Sequence, residues 1–388
     1  MQEDNFETIA IRLQAERTHF KEHSVPLYLT SSYKFDDSEE MRALFANEKD
    51  GNVYSRYANP NTSELIEKMA ALEGAEAGWA TATGMAAIFT TFATFLGNGD
   101  HVLSSRSVFG STHQLLNNIF PKWGIGYTYA DLDKPEQWIN GIHENTKMIF
   151  VETPSNPGID IIDLEWLAKL AKEHNLLLVV DNCFATPYLQ QPIKLGADIS
   201  IHSATKFIDG QGRTLGGIIL GTAALMKDIE GFARHSGPAM SPFNAWLLSK
   251  SLETLAVRMD RHCENAMKVA EFLEGRNKIK KVMYPFLPSH PQYDIARKQM
   301  RQGGGIITFV IEGGVEAAAA FMDKLQMFSI SANLGDTRSI ATHPATSTHS
   351  KLTEEQRLEV GIEQGSIRLS IGLEHIDDIL KDLEQALS

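Results

Sequence analysis

Lys206 stands between a Ser-Ala-Thr triplet and a glycine-rich run in HSATKFIDGQGRTLGG (202–217). A lysine among hydroxyls and bare backbone can hold a phosphate, or it can be the reacting amine. Its company bears on the choice. Apolar, strand-like runs end on Glu152 through Asn156, on Asp181 after LLLVV, and on Ser203, Thr205 and Lys206 after ADISIH. In open α/β sheets ligands bind outside the carboxyl ends of the strands, so these residues belong to one candidate site. Gly84 and Met85 open an apolar, helix-like stretch and add free N–H groups at a helix N-terminus.

Taken singly, each of these residues has a plain reading as a cap, a turn former or a solvated side chain. Together they supply a phosphate cradle, an anion and a lysine. The cradle is the Gly84 and Met85 N–H groups with the Ser203 and Thr205 hydroxyls. A nucleotide-binding loop places its glycines before the lysine and Ser or Thr directly after it. Here the order is reversed, with Phe207 after the lysine and Gly210, Gly212, Gly216 and Gly217 beyond. Nor does GQGRTLGG have the spacing of a dinucleotide fingerprint. Pyridoxal phosphate fits all the parts: it needs a lysine for covalent anchorage and an acid at its pyridine nitrogen. Asp181 and Lys206 are 25 residues apart, on successive strand ends with a helix-sized connection between them.

The elements that must position these groups read as α/β. Leu65, Ile66, Met69 and Leu72 share one helical face that stops at Gly74, and DLEWLAKLAKEHN is an amphipathic helix. Buried strands alternating with helices predict a largely parallel sheet covered on both faces. SPFNAWLLSKSLETLAVRMDRHCENAMKVAEFLEG, with Ser241 as cap and Pro242 in the first turn, predicts one long helix to Gly275. GGGIITFVIEGG, the MFSISANLG region and SIRLSIGLE are strand candidates of a smaller domain. The expected division is an N-terminal arm over 1–60, a cofactor domain over 61–250 and a small α/β domain over 251–388.

Composition sets bounds on partners and place. The net charge is −13 with no basic stripe, which argues against nucleic acid and anionic membranes. The opening MQEDNFETIAIRLQAERTHF lacks an apolar signal core, and no apolar run reaches spanning length, so the cytoplasm is the expected compartment. Cys183 and Cys263 are too few for a disulfide framework or thiolate cluster, and no metal site is expected. Cys183, after a buried strand, reads as an inert packed thiol.

YSRYANPN (54–61), ATGMAAI (82–88), ETPSNP (152–157), VVDNCFATP (179–187), HSATK (202–206) and SIRLSIGLE (366–374) resemble, in order, the blocks of the Cys/Met-metabolism family of pyridoxal-phosphate enzymes. The resemblance spans the chain and implies the aspartate-aminotransferase-like fold, PLP fold type I. It implies that Lys206 anchors the cofactor and shuttles protons, that Asp181 pairs with the pyridine nitrogen, and that Ser203, Thr205 and the Gly84–Met85 backbone hold the phosphate. Tyr54 and Arg56 resemble arm residues that reach the phosphate in a neighbouring subunit's site. That makes the dimer the minimum and a tetramer the expected assembly. Arg368 resembles the arginine that takes the substrate α-carboxylate, and Asn156 a side chain near the cofactor or that carboxylate. Asn333, in SANLG, falls where relatives often carry a serine near the substrate, which implies that it positions the substrate.

Two departures carry information. Where many members stack a tyrosine over the ring, this chain has Phe109, which can stack but has no hydroxyl for acid–base work. Where methionine γ-lyases carry a cysteine two residues later, it has Ser111. EHSVPLYLTSSYKF (22–35), HSATKFIDGQGRTLGG and ANLGDTRSIATHPATSTH (332–349) resemble the O-succinylhomoserine sulfhydrylase branch. That implies an amino-acid ester and sulfide as partners, and homocysteine as product. A binding module that kept only the fold would not need Lys206, Asp181 and Arg368 together.

Overall fold

The computed structural model describes residues 4–350 and 353–388; the first three residues of the expected arm lie outside them. Seven strands form the larger sheet: β1 (Ala77–Thr81), β2 (His101–Ser105), β3 (Gly126–Ala130), β4 (Thr146–Glu152), β5 (Leu177–Asp181), β6 (Ile199–Ser203) and β7 (Gly217–Gly221). Their order is β1-β7-β6-β5-β4-β2-β3. The pairs β2–β3, β2–β4, β4–β5 and β5–β6 are parallel, whereas β7 runs antiparallel to both β6 and β1. The central strands are buried on both faces, which is why they are unbroken apolar runs rather than alternating ones.

A second sheet holds β8 (Ile279–Met283), β9 (Ile306–Ile311), β10 (Ser329–Ile330), β11 (Ile340–Thr342) and β12 (Ser366–Ser370), in the order β10-β11-β12-β9-β8. Its centre is β12, where Arg368 stands opposite Thr308 of β9 and Thr342 of β11.

The helices follow their local chemistry. Pro60–Glu73 begins with a capping box between Asn59 and Thr62, has proline at its first position, and stops at Gly74 in the left-handed conformation (φ 82°). Leu65, Met69 and Leu72 lie fully inside; burial of each such side chain stabilises the fold by about 1.5–3 kcal/mol. The helix Gly84–Phe95 is capped by the Thr83 hydroxyl on the Ala86 N–H. Leu164–Glu173 turns Leu164, Leu167, Leu170 and Ala171 inward, with Asp163 capping Trp166.

The long helix expected after Ser241 is instead two, Pro242–Leu252 and Leu255–Glu274, and the Ser241 side chain makes no capping bond. The break has a tertiary cause. The Ser251 carbonyl accepts from the Arg258 guanidinium (3.0 Å) and the Thr254 hydroxyl (3.3 Å) instead of continuing the ladder. The arm, expected without regular structure, contains short helices at Phe6–Arg12 and Ser38–Phe45. Among the described residues, no helix is long and apolar enough to cross a membrane.

Candidate active site

The carboxyl ends of β4, β5 and β6 bring Glu152, Asp181 and Ser203 to one edge of the sheet, with Glu152 in register with Asp181. They open onto a cavity of about 190 Å³ whose wall also includes Gly84, Met85, Phe109, Asn156, Lys206 and Arg368. Most of the residues singled out in the sequence therefore meet at one place. Cys183 and Thr348 complete the polar part of its rim.

The Lys206 Nζ donates to the Asn333 Oδ1 at 2.9 Å, and among the described residues no carboxylate lies within ion-pairing distance of it. Burial lowers the pKa of this amine, and the Arg368 charge adds to the effect. Arg368 is itself buried. Its Nη1 donates to Asn156 Oδ1 (3.0 Å), and its Nη2 to the Asn333 carbonyl (3.1 Å), the Ala332 carbonyl (3.3 Å) and the Thr342 hydroxyl (3.2 Å). Among the described residues its Nε–H has no acceptor. Burial pushes the guanidinium down to about 10, so it is cationic at neutral pH.

Asp181 is buried, and among the described residues its carboxylate has one hydrogen-bond donor, the Cys183 N–H at 3.1 Å. Burial raises its pKa. Glu152 beside it is raised well above the carboxylate range, first by burial and then by the Asp181 charge, and it accepts the Phe109 N–H at 2.7 Å. Two carboxyl groups on adjacent strand ends disfavour a second negative charge there unless a cation joins them. Burial also raises the Cys183 thiol, which keeps it protonated at neutral pH.

Gly84 is packed so closely that a Cβ would sit 2.6 Å from the Ser203 Cβ and 3.0 Å from its Cα. A side chain is excluded where the helix N-terminus meets β6. Thr205 lies just outside the cavity wall: its hydroxyl donates to the Gly216 carbonyl at 3.4 Å and accepts the Gly216 N–H at 3.2 Å. Tyr54 and Arg56 are not brought to the cavity within the chain. Tyr54 is 42% exposed, and the Arg56 guanidinium lies 4.7 Å from the Tyr57 ring centroid and donates to the Arg234 carbonyl.

A family model described as Cys/Met metabolism PLP-dependent enzyme matches residues 7–388. The chain belongs to this family. Over 383 residues it is 48% identical to a Pseudomonas aeruginosa protein named O-succinylhomoserine sulfhydrylase, covering 99% of this chain and 95% of that one. It is also 40% identical over 390 residues to a Fusobacterium nucleatum L-methionine gamma-lyase, covering 100% of this chain and 99% of the relative. A Campylobacter jejuni structure of a proposed O-acetylhomoserine (thiol)-lyase, solved with a pyridoxyl-lysine phosphate, superposes with a TM-score of 0.96. It is 36% identical, covering 99% of this chain and 100% of that one.

The protein is thus a pyridoxal-phosphate-dependent enzyme of cysteine and methionine metabolism, with the α/β fold of PLP fold type I. The wall of its cavity fits that cofactor: an amine with no carboxylate partner, a buried carboxylate with one donor, and a helix N-terminus beside a serine with no room for a side chain. The strand-end rule that selects Asp181 also selects Glu152, but gives it no task. Its neighbour in register and the Phe109 N–H become visible only in three dimensions. Thr348 carried no local signal.

Proposed function

We propose that this enzyme performs γ-replacement on an activated homoserine ester, converting O-succinylhomoserine and sulfide to homocysteine and succinate in the cytoplasm. The observation that carries the reading is the pairing of a carboxylate-free Lys206 amine with the buried Arg368 cation across one cavity. Arg368 suits the α-carboxylate of an amino acid, and the neutral Lys206 amine can take a proton from its Cα. The likeness to the P. aeruginosa sulfhydrylase supports the choice of ester.

In this reading Ser203, Thr205 and the Gly84–Met85 N–H groups hold the phosphate, with Thr205 releasing Gly216 to do so. Asp181 balances the ring nitrogen, Phe109 stacks on the ring and Asn156 steadies both Arg368 and the cofactor side. When bound, pyridoxal phosphate supplies the electron sink that makes the substrate's Cα and Cβ protons acidic. Arg368 takes the α-carboxylate through its planar donor fork. Lys206 removes the Cα proton, its depressed pKa favouring the neutral amine that this requires, and it gives that proton up again before it takes one from Cβ. Succinate leaves Cγ with the C–O electron pair, hydrosulfide bonds to Cγ, and Lys206 returns a proton to each of the two carbons. Asn333 holds the amine between these transfers. Because Phe109 has no hydroxyl, acid–base work beyond Lys206 falls to Tyr54 of a neighbouring subunit, beside Arg56 on the phosphate. That arrangement makes the dimer the minimum active unit and the tetramer the expected assembly.

The likeness to the F. nucleatum lyase favours a second reading, γ-elimination from methionine. Ser111 weighs against it. The test is to supply O-succinylhomoserine or O-acetylhomoserine with sulfide or cysteine, and methionine alone. The highest kcat/KM is expected for O-succinylhomoserine with sulfide; faster release of methanethiol from methionine would overturn the reading in favour of the lyase.

A further inference from the structure

The run Asp209–Arg213, directly after the lysine loop, has no part in the cavity wall, yet it is bonded within itself and to three other segments. The fully buried Asp209 carboxylate accepts the Arg213 N–H (2.7 Å) and Nε–H (3.1 Å), folding the run back on itself. Arg213 continues to the Ser251 hydroxyl at 2.5 Å. Arg258 holds the carbonyls of Phe207 (2.6 Å) and Ile208 (3.1 Å), the two residues that follow Lys206. The turn leaves two carbonyls facing the smaller sheet. Gly210 accepts the Thr337 N–H at 2.8 Å, and Gln211 accepts from the Arg338 guanidinium at 3.1 Å.

The opposite strip is the loop that carries Asn333. Gly335 (φ 74°) lies so close to the lysine loop that a Cβ there would stand 2.6 Å from the Phe207 nitrogen and 3.2 Å from the Lys206 Cα. The buried Asp336 carboxylate holds Arg338 through its N–H (3.0 Å), Nε (2.8 Å) and Nη2 (2.8 Å). A Cβ on Gly212 (φ 65°) would come 2.7 Å from Asp336 Oδ2. Two loops 127 residues apart in the chain are therefore joined by one backbone bond, one guanidinium bond and close glycine contacts. One ends on Lys206 and the other on its acceptor, Asn333.

We propose that Asp209–Arg213 and Asp336–Arg338 form a clasp that sets the Asn333 amide against the Lys206 nitrogen, with Arg338 as a positioning residue. The proposal rests on the amine role given to Lys206 above. Arg338 does not line the cavity, and its side chain is 64% exposed, while the Asp336 carboxylate that it pairs with is buried. Among the described residues its one long-range hydrogen bond is the clasp bond to Gln211. The Asn333 oxygen favours the protonated lysine nitrogen, because a hydrogen bond from a charged donor is the stronger one. Loosening the clasp withdraws that acceptor and makes the nitrogen less basic.

The test uses holoenzyme and reads the pH titration of the visible absorption of the lysine-bound cofactor, which follows protonation of the lysine nitrogen. Asn333→Ala is expected to move the titration to lower pH. Arg338→Ala should move it the same way by less, and Arg338→Lys should recover part of the shift. In the Asn333→Ala background, Arg338→Ala should add nothing, the signature of two residues acting as a unit. With the substrate that the wild type turns over, Arg338→Ala should lose about tenfold in kcat/KM, within what a slight misplacement at a reacting centre produces. Gly212→Ala, which presses on Asp336 from the other side, should give the same shift and serves if Arg338→Ala does not fold. An unmoved titration in these variants, or an equal shift with and without Asn333, overturns the clasp. The titration needs no substrate, so a wild type inert towards O-succinylhomoserine defeats the proposed reaction while the clasp is still judged on its own.

Discussion

Replacing Arg368 isolates substrate binding from chemistry. The guanidinium already makes four bonds to Asn156, Ala332, Asn333 and Thr342, and these fix its plane before any substrate arrives. A carboxylate that pairs with a preset guanidinium gains two charge-assisted hydrogen bonds, each about 1.5–3 kcal/mol. Their loss is about 3–6 kcal/mol, or roughly 10²- to 10⁴-fold in kcat/KM at 1.4 kcal/mol per factor of ten. Because the carboxylate is bound before and during reaction, most of the loss should be in KM and less in kcat. Arg368→Lys keeps the charge as a compact ammonium and should recover about half of the free energy, since lysine lacks the planar fork. The mutation also strands the oxygens of Asn156 and Thr342, and each buried acceptor left unpaired costs about 1–3 kcal/mol of stability. Steady-state kinetics and thermal melting should therefore be measured together. The control is the substrate's carboxamide: wild type should reject it strongly, and Arg368→Lys should discriminate with only about half of that free energy. A folded Arg368→Lys that keeps both its KM and its preference for the carboxylate would refute the reasoning.

Lys206→Ala should lose turnover and the visible cofactor band while melting as the wild type does; residual turnover with a normal pH profile would remove Lys206 from the reaction. In the wild type, burial lowers the Lys206 pKa, so the neutral amine persists to lower pH than for an exposed lysine. The acid limb of kcat should then lie below the ordinary lysine range, and a limb at that range would contradict the assignment. Gly84→Ala should release the cofactor on dialysis, because the new methyl group collides with Ser203; undiminished retention would show that the helix N-terminus does not hold the phosphate. Mixing inactive Lys206→Ala with an inactive Tyr54→Ala should restore activity if each site draws Tyr54 from a neighbouring subunit. Mixtures that stay inactive after subunit exchange would place Tyr54 with its own chain.

What the sequence reveals and what it conceals divide along one physical line. Glu152, Asp181 and Ser203 can be found in the sequence because each ends a strand buried on both faces. Such strands are contiguous apolar runs, and the polar residue at the end marks itself. The helix Pro60–Glu73 is legible because its capping box and its left-handed glycine are local. β7 escapes the reading since it returns antiparallel between β6 and β1, a choice made by its neighbours and not by GIILG itself. The three-residue β11 is too short to carry a period. The break at Glu253–Thr254 has no proline or glycine to announce it; Arg258 makes it by taking the Ser251 carbonyl, and the same side chain holds the two carbonyls after Lys206. Contacts between residues far apart in the chain leave no trace in spacing. That is why the Asp-Gly-Gln-Gly-Arg run shows in the sequence as a marker of a branch and in the fold as half of a contact with Asp336–Arg338. Its glycines are understood from the other side of that contact: Gly212 stands where a side chain would strike Asp336, and Gly210 where one would strike Arg258. Residues that look like permissive loop are thus fixed by two charged groups, each supplied by a different part of the chain.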